Sequence, residues 1–354
     1  MKTMLIFSTA LTVCNKKLRK YLNLQGTTEK NSRGRPEIDR LQLRQLLIKS
    51  LEGGTIKWNS RLRSAEEANG KISLHFDQET VTGFDLVIGA DGAWSKVRPL
   101  VSDEEPIYTG ISGWRFSILN PQEQHPDLYS LVNRGSLFAF SSGKALIAQQ
   151  MGDGSIGVSQ WKVLPEDWQK EVKYNIQNSE AVRDALLEEH QDWAPELQKI
   201  IEAMDMSRVL PMNLYMLPIG HKWTHKTGMT LLGDAAHLMS PFAGEGVNLA
   251  MKDALDLSEA IIEAAKSGGK ASLDGQVQKF EDAMFKRSAR VQQQTWAMMS
   301  SMFFTAGGLD TSIEKWVCEA VTSEMNPILG ALISVLVYVY YFFFRLLDLG
   351  GGCK

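Results

Sequence analysis

The chain has 354 residues, 44% of them hydrophobic and 22% charged, which is enough for two domains and a sizeable core. A net charge of -3 gives no basic excess, so nucleic acid is not an expected partner. Cys14, Cys318 and Cys353 are odd in number and far apart, which argues against a disulfide framework and for a reducing compartment. The six histidines show no ligand spacing, and no metal site is expected.

The first stretch, Met4 to Val13, is apolar and follows Lys2. The basic run Lys16-Lys17-Leu18-Arg19-Lys20 stands where a signal peptide would need small neutral residues, so a strand or a cryptic start is the better reading. Residues 26–36 are polar and read as a loop. Leu41, Leu43, Leu46, Leu47 and Leu51 then mark a helix, with Arg40 and Arg44 four apart on another face. Thr55 to Trp58 reads as a strand, and Gly70–Phe76 with Glu79–Phe84 as a hairpin. Leu86 to Ile88 predicts a buried strand leading into Gly89-Ala90-Asp91-Gly92-Ala93-Trp94-Ser95-Lys96-Val97-Arg98. In that turn Gly89 and Gly92 permit tight backbone and Ser95 can cap. Arg98 can pair with a phosphate or with Asp91.

From Ile107 to about Leu210 the pattern becomes short strands: 114–118, 137–140, 145–148 and 156–159, with helices over 180–187 and 194–203. Trp114, Arg115 and Gln160 are candidate pocket residues. Core packing for Trp114 and a surface role for Arg115 are the competing readings. Met229 to Leu232 is a further short apolar strand, ending at Gly233-Asp234-Ala235-Ala236-His237. A loop with Pro241, Gly244 and Gly246 follows, then a helical run from Val247-Asn248-Leu249. A carboxylate at a strand end, followed by a glycine turn onto a helix N-terminus, makes a polyol and anion site. Asp234 can accept from hydroxyls, and the loop amides lie open to a ligand. Ser267-Gly268-Gly269 ends that helix, and 273–304 reads as a longer one whose Met-rich end suits packing. Ile328 to Phe344 is seventeen uncharged residues, counted from 328 to 344, at the lower edge for a membrane span.

The two glycine motifs together resemble the class A flavin-dependent monooxygenases, the aromatic hydroxylases. Gly233 to His237 with Pro241, Gly244-Glu245-Gly246 and Asn248-Leu249 stands where their second flavin motif does. Gly89-x-Asp91-Gly92-x-x-Ser95-x-x-Arg98 carries every fixed letter of their central motif. Ile38 to Arg44 is similar to the tetracycline-inactivating and fungal members. The resemblance implies an α/β (α+β) fold: a Rossmann-like FAD-binding domain over 1–105 and 206–306 and an antiparallel β-sheet substrate domain over 106–205; beyond it, the uncharged run reads as a C-terminal hydrophobic helix over 326–348. It implies FAD as cofactor, contacted by Arg40, Asp91, Gly92, Arg98, Asp234, Pro241, Gly244, Gly246, Val247 and Asn248. NADPH or NADH is the implied reductant, and a C4a-hydroperoxyflavin the oxygen donor to a small hydrophobic aromatic, polyketide or terpenoid-like substrate in secondary metabolism. The catalytic residues are unassigned. The Trp-x-Trp-x-Ile-Pro element of related halogenases is absent, which favours hydroxylation or epoxidation. The family's opening Gly-x-Gly-x-x-Gly is also absent: upstream of Arg40 the glycines are Gly26 and Gly34. The FAD domain is therefore expected to be incomplete at its N-terminus. A truncated or degenerate, non-catalytic membrane-anchored homologue is the alternative. Location is expected at a membrane through 328–344, or in the cytoplasm.

Overall fold

The computed structural model describes residues 6–7, 10–24, 36–267, 269–323 and 325–348. The chain opens with β1 (Ile6–Phe7), and β2 (Leu11–Asn15) and β3 (Lys20–Leu24) form a hairpin. The basic run is the turn of that hairpin, with Leu18 at φ 59°. β4 (Pro36–Glu37) pairs with β1, and α1 (Arg40–Lys49) follows with none of its residues buried. Of residues 26–36, expected as a loop, Pro36 alone lies among the described residues.

β5 (Leu62–Ala68), β6 (Lys71–Phe76) and β7 (Thr80–Thr82) make a three-stranded antiparallel meander. Thr55 to Trp58 is a turn and not a strand; it follows Gly53-Gly54, and Trp58 is 60% exposed, so no neighbour rewards extension. β8 (Val87–Gly89) leads to the first glycine turn. β9 (Ile107–Ile118), α2 (Pro121–Gln124), α3 (Pro126–Val132), β10 (Ser136–Ser141), β11 (Lys144–Gln150) and β12 (Ile156–Val163) come next. α4 (Trp168–Glu171), α5 (Ser179–Glu189) and α6 (Pro195–Glu202) precede β13 (Leu210–Met216). Asn178 caps α5 by accepting from the Glu180 and Ala181 amides.

β14 (Met229–Leu231) leads to α7 (Asp234–His237), and α8 (Gly246–Ser267) is followed by α9 (Lys270–Met299). A π-helical turn over 300–304 connects to α10 (Leu309–Thr322) and then α11 (Pro327–Asp348).

The large sheet runs β13-β9-β12-β11-β10-β2-β3, antiparallel except for the β10–β2 pair. Alternation divides its side chains between two cores. Trp114, Phe116, Ile118, Leu146 and Val158 face α3, α5 and α6. Val13, Ile111, Phe140, Ala145 and Trp161 face Phe242, the end of α9 and α10. A third core joins Val87 and Leu231 to Leu257 of α8 and to Val277, Phe280 and Met284 of α9. The FAD-binding-type α/β fold with an antiparallel sheet and a C-terminal apolar helix is as the sequence leads one to expect.

Candidate functional site

β14 and β8 are parallel neighbours, Met229 opposite Val87 and Leu231 opposite Gly89. Parallel pairing puts both carboxyl ends at the same edge, so the turns that begin at Gly89 and Gly233 leave side by side. Ligands in open parallel sheets bind at such an edge. The close approach depends on glycine: a Cβ on Gly89 would lie 2.5 Å from Leu231 Cδ2 and 2.9 Å from Val97 Cβ.

The first turn is held from within. Asp91 accepts from Ser95 Oγ at 2.5 Å and from the Lys96 amide at 2.6 Å, while Ser95 Oγ accepts from the Val97 and Arg98 amides. The Asp91 carboxylate is thus engaged with its own turn and does not pair with Arg98. Arg98, 3% exposed, instead donates to the carbonyl oxygens of Ala93 (2.5 Å) and Ala235 (3.1 Å). One buried guanidinium therefore bridges the two glycine motifs.

α7 has further supports. His221 Nδ1 donates to the Ala236 carbonyl at 2.7 Å, and its Nε2 meets Ser102 Oγ at 2.9 Å. Burial keeps this ring below its usual pKa and therefore neutral. His237 Nε2 lies 2.5 Å from Asp253 of α8, and Asp253 also accepts from the Gly233 amide and from Arg287 of α9. Burial alone would push the Asp253 carboxyl up, but these donors hold it below the ordinary carboxylate range. Glu281 of α9, 1% exposed, accepts from Trp223, His225 and Thr230, fastening β14 from behind. Sequence reading missed this scaffold. A signal was present: Asp253 sits between Leu249 and Leu257 at four-residue steps, a carboxylate on an apolar stripe.

In front of the scaffold the motif is open. Asp234, Pro241, Gly244, Val247 and Asn248 are exposed, and Gly246 half-buried. Nothing stands within 4 Å of where a Cβ on Gly92, Gly244 or Gly246 would lie, and Gly92 and Gly244 have φ of 82° and 72°. Ser240 Oγ is buried without a hydrogen-bond partner. Open backbone amides, an exposed carboxylate, a spare hydroxyl and the start of α8 fit a flavin with its polyol chain.

The 241–243 turn, which is a 3-10 turn, tucks Phe242 against the sheet, 6.3 Å from the Trp161 ring and 5.0 Å from Phe303. Arg115 shares the sheet face of Trp161, because the two are set by the same alternation through the Gly113–Trp161 and Arg115–Ser159 pairs. Trp114 and Gln160 are directly paired on the opposite face. They line a cavity of about 280 Å³ with Trp168 and Tyr174 on the helical side. A step of one residue therefore separates the three pocket candidates. Arg40 stands at the start of α1, whose cap Asp39 accepts from the Gly152 amide at 2.9 Å, tying the helix to the loop after β11. Arg115 is exposed on that face, and its partial desolvation, together with the nearby charges of Arg40 and Arg208, holds its pKa below the ordinary range. The structure thus gathers the residues of the 89–98 and 233–248 turns at one edge, and associates Arg40 with the Arg115 side of the sheet.

A strand-end site of this kind on this fold defines a flavin-binding protein. The family described as FAD binding domain matches residues 41–284, and the chain belongs to it. Its relatives include the monooxygenase asqM of Emericella nidulans, 28% identical over 80% of this chain and 77% of that protein. The monooxygenase penA of Penicillium thymicola is 29% identical over 75% and 72%. Among solved structures, Klebsiella pneumoniae HpxO complexed with FAD and uric acid aligns with a TM-score of 0.70 at 17% identity, over 96% of this chain and 82% of that one. CtdE in complex with FAD and a substrate aligns at 0.69 and 18%, over 98% and 83%. By family and fold the chain is an FAD-dependent monooxygenase.

Proposed function

We propose that the chain uses NADPH or NADH and O2 to hydroxylate or epoxidise a small hydrophobic substrate of aromatic, polyketide or terpenoid type, in secondary metabolism. The observation that carries this reading is the meeting of two glycine turns at one end of the β8–β14 pair, with Arg98 bridging them. The similarity to fungal monooxygenases supports the setting. FAD, when bound, supplies the oxygen chemistry. The chain's own residues bind, orient and exclude water. Asp234 accepts from polyol hydroxyls. The amides of Gly244 to Gly246 and the positive end of α8, with Val247 and Asn248, stabilise negative charge at the strand ends. Gly92 and Pro241 shape the approach, and Arg40 contributes a cation from α1. Asp91 and Arg98 act by holding the turns. On the substrate side Arg115 is favoured, since it shares the face that meets Phe242; Trp114 and Gln160 would act from the other side of the sheet. The cofactor portion is proposed to comprise 1–105 and 206–306 and the substrate portion 106–205, with β2, β3 and β13 contributed to the substrate sheet. The apolar α11 favours work at a membrane over work in the bulk cytoplasm.

The test is a visible spectrum of the purified full-length chain with and without added FAD. Flavin absorbance that co-elutes with protein, followed by NADPH-dependent O2 consumption with a lipophilic phenol or olefin, supports the reading. The second reading is a non-catalytic, membrane-anchored flavoprotein homologue. It is favoured by the exposure of α1 and of Ile88 on β8, which leaves the cofactor edge thinly covered. Bound flavin without any reductant-dependent turnover would select it.

A further inference from the structure

We propose that α11 attaches the protein to an anionic lipid bilayer lying in the plane of the interface, without crossing it, and that the basic β2–β3 turn meets the headgroups. This deepens the membrane association proposed above and rests on it.

α11 is apolar enough to cross a membrane: the Pro327–Leu347 span has a mean hydropathy of 2.0. Its 22 residues make a rod of about 33 Å, the thickness of a bilayer core. Its contacts oppose crossing. One stripe is docked: Gly330 packs against Thr322 of α10, Val337 and Phe344 join the second core, and Tyr341 is 3% exposed. Tyr341 donates to the Tyr21 carbonyl of β3 at 3.1 Å. Arg345 makes two bonds to Glu314 of α10, at 3.0 and 2.6 Å. The helix is therefore strapped along α10, which carries Asp310, Glu314, Lys315 and Glu319. Crossing would either draw those charges into hydrocarbon or strip α11 from the core it completes.

The other stripe is bare. Ile328, Leu332, Val335, Leu336, Val339 and Phe343 follow helical spacing and are 48 to 75% exposed. A continuous apolar ridge on a docked helix is the geometry of an interfacial helix, whose outer face enters the headgroup and acyl boundary. A second, independent observation gives the partner's charge. The β2–β3 turn sits at the C-terminal end of α11, with the Arg19 guanidinium 4.8 Å above the Phe344 ring, and Lys17 of the turn and Lys20 at the start of β3 are exposed. Basic groups beside an apolar ridge match an anionic bilayer surface. Between β3, α10 and α11 an open groove of about 410 Å³, lined by Tyr21, Leu22, Val317, Ile333, Leu336 and Tyr340, is wide enough to seat part of an acyl chain.

The test is flotation of the full-length, flavin-loaded protein with phosphatidylcholine vesicles, alone or mixed with phosphatidylserine. Expected is flotation that strengthens with phosphatidylserine, weakens in high salt and is released by alkaline carbonate. Lys17→Glu with Lys20→Glu should lower the partition coefficient at least about tenfold on anionic vesicles. Leu332→Ser with Leu336→Ser should abolish flotation, with circular dichroism and flavin spectrum unchanged. Carbonate-resistant insertion overturns the in-plane reading. Concentration-dependent dimers with no flotation assign the ridge to a second copy and overturn it too. Equal flotation on neutral and anionic vesicles removes the role of the basic turn. Flavin content is read on the same samples, so loss of flavin with flotation intact counts against the function and not against the attachment.

Discussion

Arg98 and Asp234 do opposite jobs although both belong to the glycine motifs. Arg98 is buried and bonded to two backbone carbonyls from different turns, whereas Asp234 is exposed. Arg98→Ala should therefore cost about 3 kcal/mol in urea unfolding, since it leaves one buried and one partly buried carbonyl without their charged donor. Flavin affinity should fall with it. Asp234→Ala should leave the urea midpoint unchanged and weaken flavin binding about tenfold, the size of one lost charge-assisted hydrogen bond. Equal flavin titrations for Asp234→Ala and the native chain would remove Asp234 from the site. His225 offers a pH test. Burial by itself would lower its pKa, but hydrogen bonds to Glu281 (2.7 Å) and Asp274 (3.2 Å) outweigh it and raise the pKa above the ordinary value of 6.5. A raised histidine contributes stability that is complete below its unfolded pKa of 6.5 and is lost as pH rises through the higher folded value. The thermal midpoint should therefore decline from slightly acid pH into the range above 6.5, and His225→Gln should flatten that decline.

Among elements, the close contact of β8 with β14 sets the site, and it can be tested at one atom. Gly89→Ala places a Cβ into Leu231 and Val97, of which Val97 Cβ cannot move aside. The strand ends must part, at a cost of about 2 kcal/mol. Flavin affinity should drop more than it does for a core mutation of similar cost away from the edge, such as Leu197→Ala on α6. Unchanged affinity in Gly89→Ala would mean that the strand spacing does not matter to the cofactor. The same elements show what the sequence makes legible. β9 to β12 were readable because they alternate or run apolar over a face buried against helices. Both glycine turns were readable because spacing and residue type are imposed by backbone geometry. β5 (Leu62–Ala68) was missed because it is polar at most positions and half-buried at only two, so alternation has no amplitude there. β13 was read as a return to the cofactor portion, yet it hydrogen-bonds along β9; sheet neighbours far apart in sequence leave no local signature. Trp114 and Arg115 could be nominated as a pair from sequence and, as strand neighbours, must face opposite sides; only the fold shows that Trp114 enters the helical core while Arg115 is exposed on the other face. Burial pushes the Cys14 thiol up to about 12, so it stays protonated at neutral pH.

At the scale of the molecule, α9 is the common member. Its 30 residues span about 45 Å. Val277, Phe280 and Met284 pack under the β8–β14 edge, and Met298 and Met299 pack under the large sheet. Between them Glu281 holds β14 and Arg287 holds Asp253 and Asp256 of α8. The flavin edge and the substrate sheet therefore stand on one rod, and a ligand at the edge should stabilise the whole. Apolar surface is left to cover beside it: Val247, Met251, Leu255 and Ile262 of α8 and Ile88 of β8 are all exposed. A ligand that binds the folded state alone adds RT ln(1 + [L]/Kd), about 2.7 kcal/mol at a hundredfold excess over Kd. Thermal unfolding of the full-length chain in a series of FAD concentrations should therefore show a midpoint that climbs with the logarithm of free FAD, by several degrees across two decades, as one transition seen alike by flavin and tryptophan fluorescence. In Arg287→Leu the rod loses its grip on α8, and the two signals should separate, flavin release preceding tryptophan exposure. A midpoint indifferent to FAD would mean that the folded chain does not bind it; a single unshifted transition in Arg287→Leu would mean that α9 does not couple the edge to the sheet.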